Sequence, residues 1–191
     1  MSRWPSKQAM QERILATADR LFNGEGIRAV GVDKIAAEIG ISKRTLYNYY
    51  PSKDELVFAY LTRRYIPARA SSRPPLEQVL HVFDWLERWF GSENFRGCPF
   101  VNAVAELGGS AAQIACDFKE QRRVWMRELL ARTPVQDPDM LATQLAILVE
   151  GAIASALVRG DPKVARCAKA AARILLTAAG AEVSAPQEAH S

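Results

Sequence analysis

One segment, residues 31–56, constrains the fold of this chain more than any other. Its letters, GVDKIAAEIGISKRTLYNYYPSKDEL, predict two short helices separated by a tight turn. The first helix covers residues 32–39 and has an apolar face, and Gly40 is a typical residue for ending it. Ser42 is a favoured N-cap for the second helix, which reaches about residue 49. A buried helix, a tight turn and a second polar helix together predict a helix-turn-helix unit.

The second helix of this unit carries few side chains that a core could bury. In a helix-turn-helix the second helix lies in the DNA major groove, where its side chains reach the base edges. Lys and Arg suit guanine, Asn suits adenine, and a Thr methyl or a Tyr ring can pack on a thymine methyl. The predicted base-reading residues are Lys43, Arg44, Thr45, Tyr47 and Asn48.

Phosphate contacts are predicted for hydroxyl and ammonium groups around the same helix. Ser42, Tyr49 and Lys53 carry such groups and would fix the position of the helix on DNA without reading its sequence. Leu46 and Tyr50 lie four residues apart, so they would hold the helix on its own domain.

The distribution of charge favours the same interpretation. The net charge is +4, and residues 1–70 hold 12 Lys and Arg against 7 Asp and Glu. The remaining residues hold 13 against 14, so the whole basic excess lies in the first third, where a polyanion would bind. Taken singly, a basic surface or two adjacent cations are more often just solvated. The turn, the caps and the charge point the same way, which favours DNA binding.

The rest of the chain is also predicted to be helical, because no segment alternates with period two. Besides the helices at 32–39 and 42–49, helices are expected at about 6–23, 52–67, 75–90, 99–107, 111–131, 138–158 and from after Pro162 to about 179. Gly24 and Gly26 are expected to end the first helix, and Asp137 is the predicted N-cap of the eighth. The fold class is therefore all-α with nine helices in two lobes. The last dozen residues are expected to be disordered.

Composition indicates an intracellular soluble protein. Three cysteines without close spacing predict neither a disulfide framework nor a zinc site. The N-terminus has no apolar signal core, and the apolar run LATQLAILVEGAIASALV contains Gln144 and Glu150, which favours a buried helix over a membrane span. We expect a cytoplasmic location and no membrane association.

The segment at 31–56 resembles the N-terminal signature of the TetR family of bacterial transcription regulators. The matching residues are Ile35-Ala36, Gly40-Ile41-Ser42, Thr45-Leu46-Tyr47, Tyr50, Ser52-Lys53 and Leu56, extended on the N-terminal side by Arg13, Ile14 and the region of Phe22. The resemblance covers about 50 residues, and the helix count matches the family layout. Two positions depart from the pattern: Gly31 replaces a common Ser or Thr, and Arg44 replaces a common Gly or Pro. Arg44 adds a base reader, so the operator sequence of a relative does not transfer.

The resemblance implies that different parts of the chain have different functions. Residues 1–52 would form the DNA-binding domain, a fourth helix at 53–67 would connect, and residues 68–191 would sense a ligand and dimerise. The apolar eighth and ninth helices offer more apolar surface than one small bundle needs, which favours a two-fold dimer. The predicted interface residues are Leu141, Leu145, Leu148, Ala152, Ile153, Ile174 and Leu175. An ordinary core within one chain is the alternative.

A small-molecule effector of unidentified chemistry is expected to bind the larger region. Tryptophans with a few polar groups are typical of ligand pockets, although tryptophans in helical bundles also serve simply as core. The candidate ligand contacts are Trp85, Trp89, Asn102, Glu106, Trp125 and Glu150. Cys98, at a helix start, is either a redox-sensitive thiol or a buried structural cysteine.

The sequence thus predicts a DNA-binding transcription regulator, a homodimeric repressor released from a palindromic DNA operator by its effector. The alternative is a helical interaction or architectural module that binds DNA only through charge. An enzyme is not expected, because there are only two histidines, His81 and His190, and no phosphate loop, metal spacing or nucleophile elbow. No cofactor or metal is expected.

Overall fold

A computed structural model describes residues 6–64 and 71–182. Within these ranges the chain forms nine α-helices and no strand, so the all-α prediction is confirmed. The helices are α1 (Lys7–Glu25), α2 (Val32–Ile39), α3 (Lys43–Tyr47), α4 (Lys53–Arg64), α5 (Pro75–Phe90), α6 (Pro99–Leu107), α7 (Gly109–Leu130), α8 (Pro138–Arg159) and α9 (Val164–Ala178). The predicted end of the fourth helix at Pro67 and the predicted disordered tail from residue 183 onward lie outside the described residues.

The chain divides into two compact units. The first unit spans Met1–Ile66 and Cys98–Phe118, and the second spans Pro67–Gly97 and Lys119–Ser191. The first unit therefore contains α6 and the start of α7 in addition to the four N-terminal helices. The functional boundaries predicted near residues 52 and 68 remain a prediction about roles.

The core of the first unit forms where α1 packs against α2 and α4. Each of these helices contributes one apolar face, and the ring of Phe22 meets the ring of Tyr60 edge-on at 5.5 Å. Burial raises the pKa of Tyr60 to about 12. The fully buried residues here include Ile14, Ala18, Ile27, Ile35, Leu46, Leu56 and Leu61.

Two helix boundaries differ from the prediction by about two residues, although Gly26 ends α1 as expected. Gly24 lies inside α1, and the helix ends at Gly26, whose φ of +94° suits glycine and whose N–H donates to the Phe22 carbonyl at 3.0 Å. Gly109 begins α7, because the break is made one residue earlier by Gly108 at φ +65°. A glycine pair does not reveal which member takes the left-handed conformation.

The second unit is built on α5, α8 and α9, which pack against one another. The predicted start of α8 is confirmed, since the Asp137 carboxylate accepts from the Met140 N–H at 3.0 Å and Pro138 is the first helical residue. The buried face of α8 consists of Leu141, Ala142, Leu145, Val149, Ala152, Ile153 and Ala156.

A second apolar face of α8 and one position on α9 stay exposed. Ile147 is 65% exposed, Val158 86% and Ile174 70%. Met140 and Leu157 are exposed on α8 as well, and the small residues Gly151 and Ala154 lie between them. Ile147, Gly151, Ala154 and Val158 are spaced by four, three and four residues and form a continuous stripe along the helix, and Met140 lies seven residues before Ile147 on the same side. We call these residues, together with Ile174, the α8/α9 stripe.

Candidate nucleic-acid interface

The turn between α2 and α3 is fixed by its backbone. Gly40 adopts the left-handed conformation at φ +76°, and the next N–H, of Ile41, donates to the Ala36 carbonyl at 3.0 Å. The Ser42 hydroxyl then accepts from the Thr45 N–H at 3.0 Å, so the predicted N-cap is confirmed. These contacts set the direction in which α3 leaves the turn.

The helix α3 is held by very few apolar contacts. Leu46 is its only buried residue, and Tyr50, directly after it, is 6% exposed. The Tyr50 N–H donates to the Leu46 carbonyl at 3.1 Å, which continues the turn beyond the helix end. Both residues dock the segment as the sequence predicted, and every other side chain of α3 is left outside the core.

The residues predicted to read bases lie on this outer side. Lys43, Arg44 and Asn48 are exposed, whereas Thr45, Tyr47 and Tyr49 are half-buried. The Thr45 hydroxyl lies 2.8 Å from the Ser42 hydroxyl, so these two side chains already share a hydrogen bond. The structure therefore brings the predicted base-reading residues together on one short element, and their contact with DNA stays a prediction.

Lys43 has an intramolecular partner that the sequence pattern does not reveal. Its ammonium donates to Asp33 on α2 at 3.0 Å, and this hydrogen bond together with the charge of Asp33 raises the pKa of Lys43. Both side chains are exposed, so the pair is worth little and can be exchanged for a base or a phosphate. Ten residues separate the two positions, a spacing that no single-helix pattern predicts.

Arg44 differs from several other cations of the first unit, which are paired with carboxylates. Arg20 pairs with Glu38 on α2, Lys34 pairs with Glu25, and Arg63 pairs with Glu12. Within the described residues the side chain of Arg44 forms no such pair, and it is exposed. A guanidinium with five donors and no competing carboxylate is well suited to bidentate contact with guanine.

Lys53, predicted to contact phosphate, lies at the start of α4 with a different partner. Its ammonium donates to the Ile27 carbonyl in the turn between α1 and α2 at 2.6 Å, and the residue is half-buried. The ammonium has three N–H donors, so this bond does not by itself exclude a phosphate contact. The role of Lys53 on DNA remains a prediction.

The predicted effector residues fall into two groups. Trp85 and Trp89 stack in the second unit with ring centroids 5.1 Å apart, and Phe95 meets Trp89 edge-on at 5.0 Å. Trp125 is half-buried in the same unit. Asn102 is half-buried on α6 and belongs to the first unit.

Both carboxylates of the predicted effector set already have partners. Glu106 on α6 accepts a hydrogen bond from the Arg28 N–H at 2.7 Å within the first unit. Glu150 on α8 is paired with Lys119 and Arg122 within the second unit. These partners lie at least 28 residues away in sequence, so no local pattern could have indicated them.

Cys98 is 6% exposed at the start of α6, which favours the structural interpretation over a reactive thiol. Within the described ranges no three His, Cys, Asp or Glu side chains are grouped so as to hold a metal ion.

Comparison with known proteins places this geometry in a family. The family model described as bacterial regulatory proteins, tetR family, matches residues 14–60. A TetR-family transcriptional regulator from Streptomyces coelicolor, SCO4454, has a similar structure with a TM-score of 0.82 and 31% identity, covering 90% of this chain and 96% of that one. A TetR-type regulator from Streptomyces avermitilis matches at 0.78 and 31%, covering 90% of this chain and 98% of that one. The chain belongs to the TetR family.

Sequence relatives agree with this assignment. YxaF of Bacillus subtilis, named as an HTH-type transcriptional regulator, is 26% identical over 170 residues, which is 82% of this chain and 89% of YxaF. The protein is therefore a helix-turn-helix DNA-binding transcriptional regulator. TetR-family regulators are soluble proteins, and among the described residues α8 alone is long and apolar enough to cross a membrane, a test that core helices of soluble proteins also pass.

Proposed function

We propose that this TetR-family protein is a homodimeric repressor that leaves a palindromic operator when a small molecule binds. One observation carries the proposal. α3 and the residue that follows it expose cationic and amide side chains that do not enter the core, since Leu46 is the only buried residue of α3. The proposed base readers are Lys43, Arg44, Thr45, Tyr47 and Asn48, and the proposed phosphate contacts are Ser42, Tyr49 and Lys53.

A dimer is proposed through the α8/α9 stripe. Leu141, Leu145, Ala152 and Ile153, from the predicted interface set, are buried in the protomer, and Leu148 and Leu175 are half-buried. The exposed residues Ile147, Val158 and Ile174 are better placed to contact a second copy. Two copies would present two α3 helices to half-sites about 34–36 Å apart.

The effector is proposed to act on the region from residue 68 onward, with residues 53–67 as connector. Trp85, Trp89 and Trp125 are the proposed contacts in the second unit, because aromatic rings suit small ligands, and Asn102 is a separate candidate in the first unit. Glu106 and Glu150 are less suited, since each already holds an intramolecular partner. Release would need the ligand to prefer one conformation by about 1–3 kcal/mol, a typical allosteric coupling.

The protein is proposed to act by binding alone, in the cytoplasm, without catalysis or a cofactor. The experiment is selection from a random double-stranded DNA pool with purified protein at near-physiological salt, followed by sequencing of the bound fraction. Enrichment of an inverted repeat would support the dimeric regulator. Enrichment of no sequence, together with a steep dependence of binding on salt, would support the charge-only module instead.

A further inference from the structure

One peptide group in the turn between α1 and α2 lies between two charged side chains from two other helices. The Ile27 carbonyl accepts from the Lys53 ammonium at 2.6 Å, and the Arg28 N–H donates to the Glu106 carboxylate at 2.7 Å. The two backbone groups belong to the same planar peptide unit, because the carbonyl of one residue is bonded to the nitrogen of the next. Lys53 is the first residue of α4, and Glu106 is near the end of α6.

The charges match the polarity of this peptide at both ends. An ammonium faces the negative carbonyl end and a carboxylate faces the positive N–H end. Hydrogen bonds to charged groups are about twice as strong as neutral ones, and bonds in a chain polarise one another. Both charged residues are half-buried, so water screens these contacts only in part. The two hydrogen bonds should therefore reinforce each other.

Gly26 adds an independent indication that the turn and Glu106 are closely fitted. Its φ is +94°, and a Cβ added there would lie 3.2 and 3.3 Å from the two carboxylate oxygens of Glu106. Such contacts are tighter than nine in ten real Cβ contacts, so the Glu106 side chain would have to shift. The same glycine ends α1, and the turn leads to Gly31, the N-cap of α2. The position of this turn thus fixes where the helix-turn-helix begins.

We propose that Lys53 and Glu106 are positioning residues that clamp the Ile27–Arg28 peptide from both sides, and that this clamp sets the DNA affinity of the helix-turn-helix. The clamp connects α4 and α6 to the turn that precedes α2, so a displacement of either helix would move the start of α2. The inference rests on the DNA-binding function assigned above. In this inference Lys53 holds the turn and does not contact phosphate, so it replaces the phosphate role proposed for Lys53 above.

The first test needs no DNA and follows the Arg28 amide by NMR in the full-length protein. Lys53→Met, Glu106→Ala and Glu106→Gln are compared with the exposed controls Arg132→Met and Glu128→Gln, which change the charge equally. We expect hydrogen exchange of the Arg28 amide to accelerate in Glu106→Ala, less in Glu106→Gln, and also in Lys53→Met, although Lys53 does not touch that amide. An exchange rate in Lys53→Met equal to that of the controls overturns the clamp. If Glu106→Ala does not fold, Glu106→Gln and Lys53→Met decide.

The second test is a double-mutant cycle on affinity for the selected operator at several salt concentrations. We expect each single variant to bind about fivefold more weakly, and the Lys53→Met/Glu106→Gln double variant to bind hardly more weakly than either one, because residues that act as a unit are non-additive. The salt slope should not change in Lys53→Met. Additive losses with a slope reduced by about one would make Lys53 a phosphate contact and overturn the clamp. If wild type binds no sequence, the proposed function fails, whereas the Arg28 amide still decides the clamp.

Discussion

The helices α3 and α8 both present side chains that their own protomer does not bury, and the two surfaces differ in kind. α3 buries Leu46 alone and exposes mainly cationic and amide groups. α8 buries one apolar face and exposes another, with Ile147 at 65% and Val158 at 86%. Unused polar surface is stable in water and can be ordinary solvated surface, whereas unused apolar surface is costly to expose. An exposed polar surface therefore indicates a binding function only when its geometry fits a ligand, whereas an exposed apolar stripe indicates a protein partner.

The largest expected effect comes from placing charge on the α8/α9 stripe. The double variant Ile147→Glu/Ile174→Glu should be monomeric in sedimentation velocity, because each buried, unpaired carboxylate should cost at least about 2 kcal/mol, as at interface hot spots. Val101→Glu is the control, since Val101 is a 51% exposed apolar residue in the other unit. A double variant with the same dimer fraction as wild type would mean that these helices form no interface.

The next effect concerns the single anchor of α3. Leu46→Ala should lower the free energy of unfolding by about 2–5 kcal/mol, as buried Leu→Ala changes do, because Leu46 is fully buried. Urea denaturation measures this, with Arg44→Ala as an exposed neighbour expected to change stability by less than about 0.5 kcal/mol. Equal stability of the two variants would show that α3 is held by something other than Leu46.

A smaller effect is expected from freeing Lys43. Asp33→Asn removes its ion-pair partner and should tighten operator binding by about fivefold at most, since an exposed ion pair contributes little. Fluorescence anisotropy with labelled operator would measure the change, and Glu128→Gln serves as a charge control far from α3 in sequence. Unchanged or weaker binding would argue that Lys43 does not contact DNA.

The smallest expected effect is a pH dependence of stability that comes from the second unit. His81 on α5 is the sole histidine among the described residues, and burial, followed by the charges of Arg73 and Arg88, lowers its pKa. The unfolded state then binds more protons, so the stability from this group is present above about pH 6.5 and is lost as pH falls through the folded pKa. The unfolding free energy of wild type should fall more between pH 7.5 and 5.5 than that of His81→Gln. Equal losses in the two proteins would contradict this assignment.

The sequence predicted most of the architecture because its signals are local. Ser42, Asp137 and Pro138 are cap and helix-start residues whose effect reaches only a few positions, and all three act as expected. The partners of Lys43, Lys53 and Glu106 were missed, because contacts across ten or more residues leave no periodic trace. The buried face of α8 was also not predictable, since that helix is apolar nearly all round and periodicity then gives no direction.

Base reading by α3 is tested most directly at Arg44. Once the operator is known, the affinity of wild type and Arg44→Ala should be measured for every single-base variant of one half-site. We predict a loss of about 1–3 kcal/mol on the operator and a loss of discrimination at one base pair, as expected when a bidentate contact is removed. Uniform weakening on all sequences, with discrimination unchanged at every position, would contradict the claim and make Arg44 a contributor of charge alone.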